Sequence, residues 1–125
     1  MLFDADVLIW LLRRNPNAIE TIDRTNDRAL SVVTFMDLLQ GARDKQEVRA
    51  IKDLLADEGF RMMPLSENIG HRAAIYIEEF GLRTRLSVSD ALLAATAVEN
   101  QLPLCTANQR HFKVIPVLQL KPFHP

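Results

Sequence analysis

Short apolar runs alternate with longer amphipathic segments along this chain. The short runs predict β-strands, which we place at residues 2–3, 29–33, 60–64, 102–106 and 114–120. Between them apolar residues recur at helical spacing, and this alternation predicts an α/β fold with a mainly parallel sheet of about five strands. Pro116 cannot donate a hydrogen bond within a sheet, so we expect the last strand to be bulged or to lie at an edge.

Several residues mark the ends of the predicted helices. Asn15 followed by Pro16 is typical of a helix start. Gly59 and Gly81 are expected at the ends of two later helices. Residues 91–98 are apolar around the whole circumference of a helix, so we expect this helix to pack in the interior.

Length and composition are those of an ordinary globular protein. The chain has 125 residues, of which 48% are apolar and 25% charged, so we expect one domain over residues 1–125. No apolar run approaches the roughly 20 residues of a membrane span, and the first residues lack the basic segment of a secretory signal. Cys105 is the only cysteine and cannot form an internal disulfide, which favours a cytoplasmic protein. The formal charge of −1 lacks the basic excess typical of proteins that track many phosphates.

The polar residues of greatest interest follow predicted strands or open a helix. They are Asp4 and Asp6 after the first strand, Asp37 after the second, Asp90 at the start of the buried helix, and Thr106 and Asn108 after the fourth strand. In a doubly wound sheet, the loops at the carboxyl ends of the strands can meet at one edge. Carboxylates clustered there would suit Mg²⁺ or Mn²⁺.

The acidic residues also have explanations that involve no chemistry. Thr34 with Asp37, and Ser87 with Asp90, have the spacing of a capping box, so capping and function explain Asp37 equally well. Asp90 begins the most apolar helix and is expected to be carried inward. Asp4 has no expected capping role, and a buried carboxylate without a partner is costly. A metal ion shared by Asp4 and Asp90 would offset that cost.

Clustered carboxylates that hold Mg²⁺ or Mn²⁺ most often serve phosphodiester hydrolysis. A zinc site is not indicated, because His71, His111 and His124 share no ligand spacing with Cys105. A glycine-rich phosphate loop is not indicated either, since the chain contains only four glycines. The candidate residues therefore favour a hydrolase that acts on phosphodiester bonds.

Four segments, in order along the chain, resemble the motifs of PIN-domain proteins. They are residues 2–10 (LFDADVLIW), 31–42 (SVVTFMDLLQGA), 89–97 (SDALLAATA) and 104–112 (LCTANQRHF). Each motif alone is loose, but together they span nearly the whole chain. The size of the chain is most similar to that of the toxins of bacterial VapBC-type toxin–antitoxin pairs.

The resemblance implies a three-layer α/β/α fold and Mg²⁺- or Mn²⁺-dependent endoribonuclease activity. It also implies a homodimer, inhibited by a small antitoxin protein whose C-terminal segment lies across the active-site groove. Asp4 and Asp90 match the family's metal-binding aspartates, and Asp37 stands where the family usually has a catalytic glutamate. Thr106 matches a hydroxyl residue near the site, and Asn108 matches a polar residue of the loop that completes it.

Two departures from the family pattern concern the site. Asp37 is one methylene shorter than glutamate, and would reach a metal ion through water. His111 stands where many members have a further aspartate, so the site carries one negative charge fewer. This favours one tightly bound ion, with another recruited by the substrate phosphate. For His111 itself two interpretations stay open: a phosphate contact or proton donor, and, as the favoured one, an ordinary surface residue.

The resulting hypothesis is that Asp4 and Asp90 hold Mg²⁺, while Asp37 and Asp6 orient the water that attacks an accessible RNA phosphodiester. The alternative is a catalytically weak PIN-fold module that binds RNA or a protein partner. A phosphatase of the haloacid dehalogenase type would also explain the first two aspartates. However, the chain lacks the paired acidic motif that such enzymes carry after a later strand.

Overall fold

The computed structural model describes all residues from 1 to 125 and contains one five-stranded sheet with six helices. In chain order the elements are β1 Leu2–Phe3, α1 Ala5–Leu12, α2 Pro16–Asp23, β2 Ala29–Ser31, α3 Val32–Gln40, α4 Lys45–Asp57, β3 Arg61–Met63, α5 Glu67–Thr84, α6 Val88–Glu99, β4 Leu104–Thr106 and β5 Leu120–Pro122. The strands lie in the order β3-β2-β1-β4-β5, and every neighbouring pair is parallel. The predicted α/β class is confirmed.

The two faces of the sheet are covered by different helices. Because successive side chains of a strand point to opposite faces, Leu2 and Leu104 pack against α5 and α6. Phe3 and Cys105 pack on the other face, against α1 to α4. The central strands β1, β2 and β4 are buried on both faces, as in the predicted three-layer α/β/α arrangement.

The most apolar helix, α6, is packed in the interior as predicted. Five consecutive residues, 93–97, are buried, and three of them are alanines. Their small side chains allow close packing of α6 against α5 and the sheet. Ser87 caps this helix, since its Oγ accepts a hydrogen bond of 3.0 Å from the backbone N–H of Asp90. The first turn of α6 is therefore held at a defined position.

The start of α3 differs from the prediction. The strand expected over 29–33 ends at Ser31, and Val32 already belongs to the helix. Ser31 is the N-cap, because its Oγ accepts a hydrogen bond of 3.1 Å from the N–H of Thr34. The predicted capping box of Thr34 and Asp37 is therefore wrong, and capping does not explain Asp37.

Two further boundaries are corrected. The helix expected to end at Gly81 continues to Thr84. Arg85 follows as the C-cap residue and adopts a left-handed conformation with φ 57°. The segment 114–120 is mostly turn, because Val117 has φ 69°, which no strand residue adopts. β5 begins at Leu120 instead, and it lies at an edge of the sheet as expected.

Gly59 follows α4 with φ 68°, the conformation for which glycine is preferred after a helix end. None of the six helices combines the length and the apolar composition that a bilayer crossing requires.

Candidate active site

The candidate site lies between β1 and β4, where the order of the strands reverses. From this point the chain builds the sheet outward in both directions, through β2 and β3 on one side and β5 on the other. The segments that follow the two strands pack on opposite faces: α1 on one, and the turn that contains Phe112 on the other. A crevice between such diverging loops is the usual ligand site of open α/β sheets.

The Asp4 side chain lies at this edge of the sheet and accepts two hydrogen bonds. One carboxylate oxygen, Oδ1, accepts a hydrogen bond of 2.7 Å from the N–H of Ala5, and the other, Oδ2, accepts one of 2.8 Å from the Thr106 hydroxyl. Asp4 is also the N-cap of α1. The expectation that it has no capping role is therefore wrong, but its Oδ2 still faces the fourth strand.

Asp6 links the first turn of α1 to the loop after β4. Its Oδ1 accepts from the N–H of Val7 at 2.7 Å, and its Oδ2 accepts from the N–H of Ala107 at 3.0 Å. The Thr106 hydroxyl is more distant, at 3.4 Å from Oδ2. Since both oxygens are occupied by backbone donors, Asp6 is placed to support the site rather than to bind a ligand with a free carboxylate.

Thr106 connects the two halves of the crevice and is fully buried. Its hydroxyl donates to Asp4 and accepts a hydrogen bond of 3.0 Å from the N–H of Asn108. A hydroxyl has one proton and can satisfy both neighbours only in this way. The residue therefore orients the Asp4 carboxylate and the start of the following loop together.

Asp90 approaches the crevice from the first turn of α6. Its carboxylate does not return to the backbone of Ser87, as a complete capping box requires. Instead, Oδ2 lies 3.1 Å from Nδ1 of His111, and the amide nitrogen of Asn108 lies 3.2 Å from the same ring atom. Half of the predicted capping box is thus present, and the carboxylate is directed to the site.

The expectation that His111 is an ordinary surface residue is wrong. Its side chain is 34% exposed and contacts both Asp90 and Asn108. A signal in the sequence is its neighbour Phe112, an apolar residue that is 1% exposed and packs on the α5 and α6 side of the sheet. Because Phe112 is buried there, the adjacent His111 lies close to the first turn of α6.

The electrostatics of the crevice are dominated by the burial of neighbouring carboxyl groups. Burial, together with the nearby Asp6 carboxylate, raises the pKa of Asp4 to about 7, and Asp90 adds a smaller increase; the hydrogen bonds from Thr106 and Ala5 oppose the rise. Burial also raises the pKa of Asp6, against the hydrogen bonds from backbone N–H groups. No lysine or arginine forms an ion pair with either carboxylate.

Asp37 is the one predicted catalytic residue that the structure does not bring into this cluster. It is exposed on α3 and makes no hydrogen bond or ion pair with the other aspartates. It lines a neighbouring groove of about 690 Å³ together with Ile9, Arg13, Arg43 and other residues of α1, α3 and α4. Ile9 lies one turn beyond Asp6 on α1, so the groove adjoins the crevice.

The donor set suits a hard divalent cation. No three of the histidine, cysteine, aspartate and glutamate side chains converge in the arrangement of a complete metal site. However, Mg²⁺ commonly binds through only one or two carboxylates, with water and substrate phosphates as the remaining ligands. Asp4 and Asp90 are the candidates for such a pair, and a cation there would stabilise the ionised form of Asp4 against the burial and the neighbouring carboxylates that raise its pKa.

The chain is similar to known proteins over almost its whole length. The PIN domain family model matches residues 1–118. Ribonuclease VapC10 of Mycobacterium tuberculosis is 35% identical over 98% of this chain and 91% of its own length.

Solved structures have the same fold. A chain of a toxin–antitoxin complex from Klebsiella pneumoniae superposes with a TM-score of 0.80 at 26% identity, over 99% of this chain and 98% of its own. A chain of VapBC-1 from nontypeable Haemophilus influenzae superposes with a TM-score of 0.81 at 24% identity, over 97% and 96% of the two chains. The family match and the ribonuclease relative together establish that this chain belongs to the PIN domain family.

Proposed function

We propose that this chain is a metal-dependent endoribonuclease that hydrolyses RNA phosphodiester bonds, and that it is the toxin of a type II toxin–antitoxin pair. Its membership of the PIN family and its 35% identity to a ribonuclease support the activity. The single observation that carries the proposal is the partly buried Asp4 carboxylate, which lies near Asp6 and Asp90 with no lysine or arginine paired to it. A protein tolerates such a cluster at a cost in stability, and a bound cation offsets it.

Asp4 and Asp90 would hold Mg²⁺ or Mn²⁺. When bound, the cation would activate a water molecule and neutralise the charge that develops on the scissile phosphodiester. Thr106 keeps Oδ2 of Asp4 in a fixed orientation through its hydrogen bond of 2.8 Å. Asp6 and Asn108 hold the loop after β4 in place, and we assign them supporting roles. Because His111 stands where many family members have an aspartate, the site has one carboxylate fewer, and this favours one tightly bound ion.

Asp37 is expected to contribute less to the cleavage rate than Asp4 and Asp90, because it lines the adjoining groove and makes no contact with the other aspartates. We expect Asp37→Asn to slow RNA cleavage by about tenfold, which corresponds to about 1.4 kcal/mol of transition-state stabilisation. The affinity for Mn²⁺ should change by less than about threefold, since Asp37 would not touch the ion. Calorimetric Mn²⁺ titration and initial cleavage rates measure the two effects. A large loss of Mn²⁺ affinity would contradict this separation of roles.

The proposed partners are an RNA substrate, a cognate antitoxin protein and a second copy of the chain in a homodimer. The similarity to a chain of the toxin–antitoxin complex from Klebsiella pneumoniae supports the antitoxin. The groove beside Asp37 combines apolar residues with Arg13, Arg43 and Glu47, a lining that suits a protein segment laid along it. A cytoplasmic location, where both RNA and antitoxin are found, is part of the proposal.

The test is cleavage of single-stranded RNA by the purified protein with Mn²⁺ and with a chelator. Cleavage should require the metal, and Asp90→Asn should slow it by about tenfold or more, because the cation loses one of two charged ligands. Asp53→Asn, on the exposed side of α4, is the matched control. Cleavage that persists in the chelator, or that is undiminished in Asp90→Asn, contradicts the proposal.

The second candidate is a catalytically weak PIN-fold module that binds RNA or a protein partner. Two observations favour it: no three potential ligands converge, and Asp37 lies apart from the cluster. A Mn²⁺ titration separates the two functions, since a module that only binds macromolecules has no need of the cation. No detectable Mn²⁺ binding, together with no cleavage of any RNA, would favour the module.

A further inference from the structure

The groove beside the crevice contains a cation that the proposed hydrolysis does not use. We propose that Arg13, directly after the last residue of α1, binds a phosphate of the RNA strand a short distance from the cleaved bond, and so positions the strand along this helix. This inference rests on the proposed ribonuclease function and adds a substrate-positioning residue to it.

The first step is the position of Arg13 relative to the crevice. Ile9 and Arg13 follow Asp6 by three and by seven residues, so the three side chains project from one face of α1. The N–H of Arg13 donates a hydrogen bond of 3.1 Å to the carbonyl oxygen of Ile9, so the helical register extends to Arg13. Seven residues of helix rise by about 10 Å. The face that directs Asp6 to the loop after β4 therefore carries Arg13 two turns further, into the groove.

The second step is the charge of the groove. Two arginines line it. Arg43 forms an ion pair of 2.8 Å with Glu47, whereas Arg13 is exposed and forms no ion pair with any carboxylate of the chain. An arginine side chain stays protonated at every pH at which the protein is folded. The groove therefore presents one permanent positive charge that has no partner within the protein.

The third step is the orientation of this side chain. The guanidinium carbon of Arg13 lies 5.5 Å from the centre of the Trp10 ring, which is a cation–π contact. A side chain that is already ordered loses less conformational entropy when it binds a ligand. The planar guanidinium group can donate two parallel hydrogen bonds to one phosphate. When the scissile phosphate lies in the crevice, the neighbouring phosphates of the same strand are the anions nearest to the groove.

A purely structural explanation of Arg13 also exists. The dipole of a helix favours a cation at its C-terminal end, and Arg13 is the C-cap residue of α1. Arg14 follows at the same helix end but does not line the groove. A positioning role therefore predicts different effects for the two arginines, whereas the dipole predicts similar ones.

The first experiment measures kcat and KM for cleavage of a single-stranded RNA oligonucleotide with Mn²⁺ at several salt concentrations. Arg13→Gln should raise KM about tenfold and leave kcat within about twofold, because a phosphate away from the cleaved bond is bound equally in the ground and transition states. The slope of log(kcat/KM) against log salt should become shallower by about 0.7, the contribution of one phosphate contact in a single strand.

Two further variants complete this experiment. Arg13→Lys keeps the charge and should keep the native salt slope, although it loses the second parallel hydrogen bond and part of the affinity. Arg14→Gln removes the same charge from the adjacent residue outside the groove, and should keep the native KM and salt slope.

A second measurement locates the phosphate. In an RNA whose cleavage position has been mapped, the linkages on either side of that position are replaced one at a time by neutral methylphosphonates. In the native protein, one of these replacements should raise KM about tenfold. Arg13→Gln should be insensitive to the same replacement, because both changes remove the same contact.

The outcomes separate this inference from the function on which it rests. A native protein that cleaves no RNA with Mn²⁺ overturns the proposed ribonuclease, and this inference with it. If the native protein cleaves RNA and Arg13→Gln has the native KM and salt slope, only the role of Arg13 is overturned. The same holds if Arg14→Gln shows the same changes, or if Arg13→Gln lowers kcat as much as kcat/KM together with the midpoint of thermal unfolding, since a structural role explains those results.

Discussion

Asp4→Asn is expected to abolish RNA cleavage and at the same time to stabilise the metal-free protein at pH 8. The loss of cleavage should be at least about a hundredfold, because the more buried of the two proposed metal ligands is removed. The gain in stability should be about 2 to 4 kcal/mol, because burial and neighbouring carboxylates raise the pKa of Asp4 to about 7. The same substitution is thus expected to lower the cleavage rate and to raise the stability of the folded protein.

The pH dependence follows from the direction of that shift. A carboxyl group whose pKa is higher in the folded than in the unfolded protein binds more protons when folded, so stability decreases as the pH rises between the two values. For Asp4 this window runs from about pH 4 to about pH 7. The difference in stability between Asp4→Asn and the native chain should therefore be smallest near pH 4, grow through the window, and level off above pH 7.

Urea unfolding in a chelator at several pH values measures this difference. Mn²⁺ should stabilise the native chain and leave Asp4→Asn nearly unchanged, since a ligand stabilises only the state that binds it. Asp53→Asn, on the exposed side of α4, should follow the native chain under all conditions. If Asp4→Asn and the native chain show the same pH dependence, the pKa of Asp4 is not raised in the folded protein, and the prediction is wrong.

The second large effect is expected for Phe112→Ala. This ring is 1% exposed and lies in the cluster that α5 and α6 form with the sheet. Truncation of a buried phenylalanine costs about 3 to 5 kcal/mol, which is a large part of the stability of a typical domain. The neighbouring His111 and Asn108 should lose their positions as well, because the ring anchors the turn that carries them.

Thermal unfolding and cleavage rates, measured well below the midpoint of unfolding, test both parts. Ile22→Ala is the matched control, because Ile22 is fully buried in α2, within the other apolar cluster. It should lose comparable stability but keep most of its cleavage rate. If Phe112→Ala retains native cleavage while folded, the turn is held in place by other contacts, and the anchoring role is wrong.

Several elements could be predicted from the chain because local physics decides them. Asn15 and Pro16 begin α2 as expected, since capping and a fixed φ act within a few residues. The apolar circumference of α6 predicted its interior position, and short apolar runs predicted the sheet. The boundaries were less reliable, because Val32 and Val33 suit a strand by propensity and become helical only when Ser31 caps them.

The candidate site was predicted as a set of residues, but not as a geometry. The spacing of Thr34 and Asp37 suggested a capping box that Ser31 replaces, and Asp4 proved to be an N-cap. His111 was expected at the surface, although Phe112 draws it to Asp90. Each of these errors concerns a side chain whose partner is chosen by tertiary contacts.

The sequence by itself determined the α/β class, the family, and the acidic residues that follow the strands, because these depend on periodicity, on motifs and on residue types. Only the tertiary structure decided which of those residues meet. The reversal of strand order between β1 and β4 brings Asp4 and Thr106 together across 102 positions of the chain. The packing of Phe112 brings His111 to Asp90, and the capping of α3 leaves Asp37 in the adjoining groove. Contacts between distant segments depend on how whole layers pack, and no local pattern contains that information.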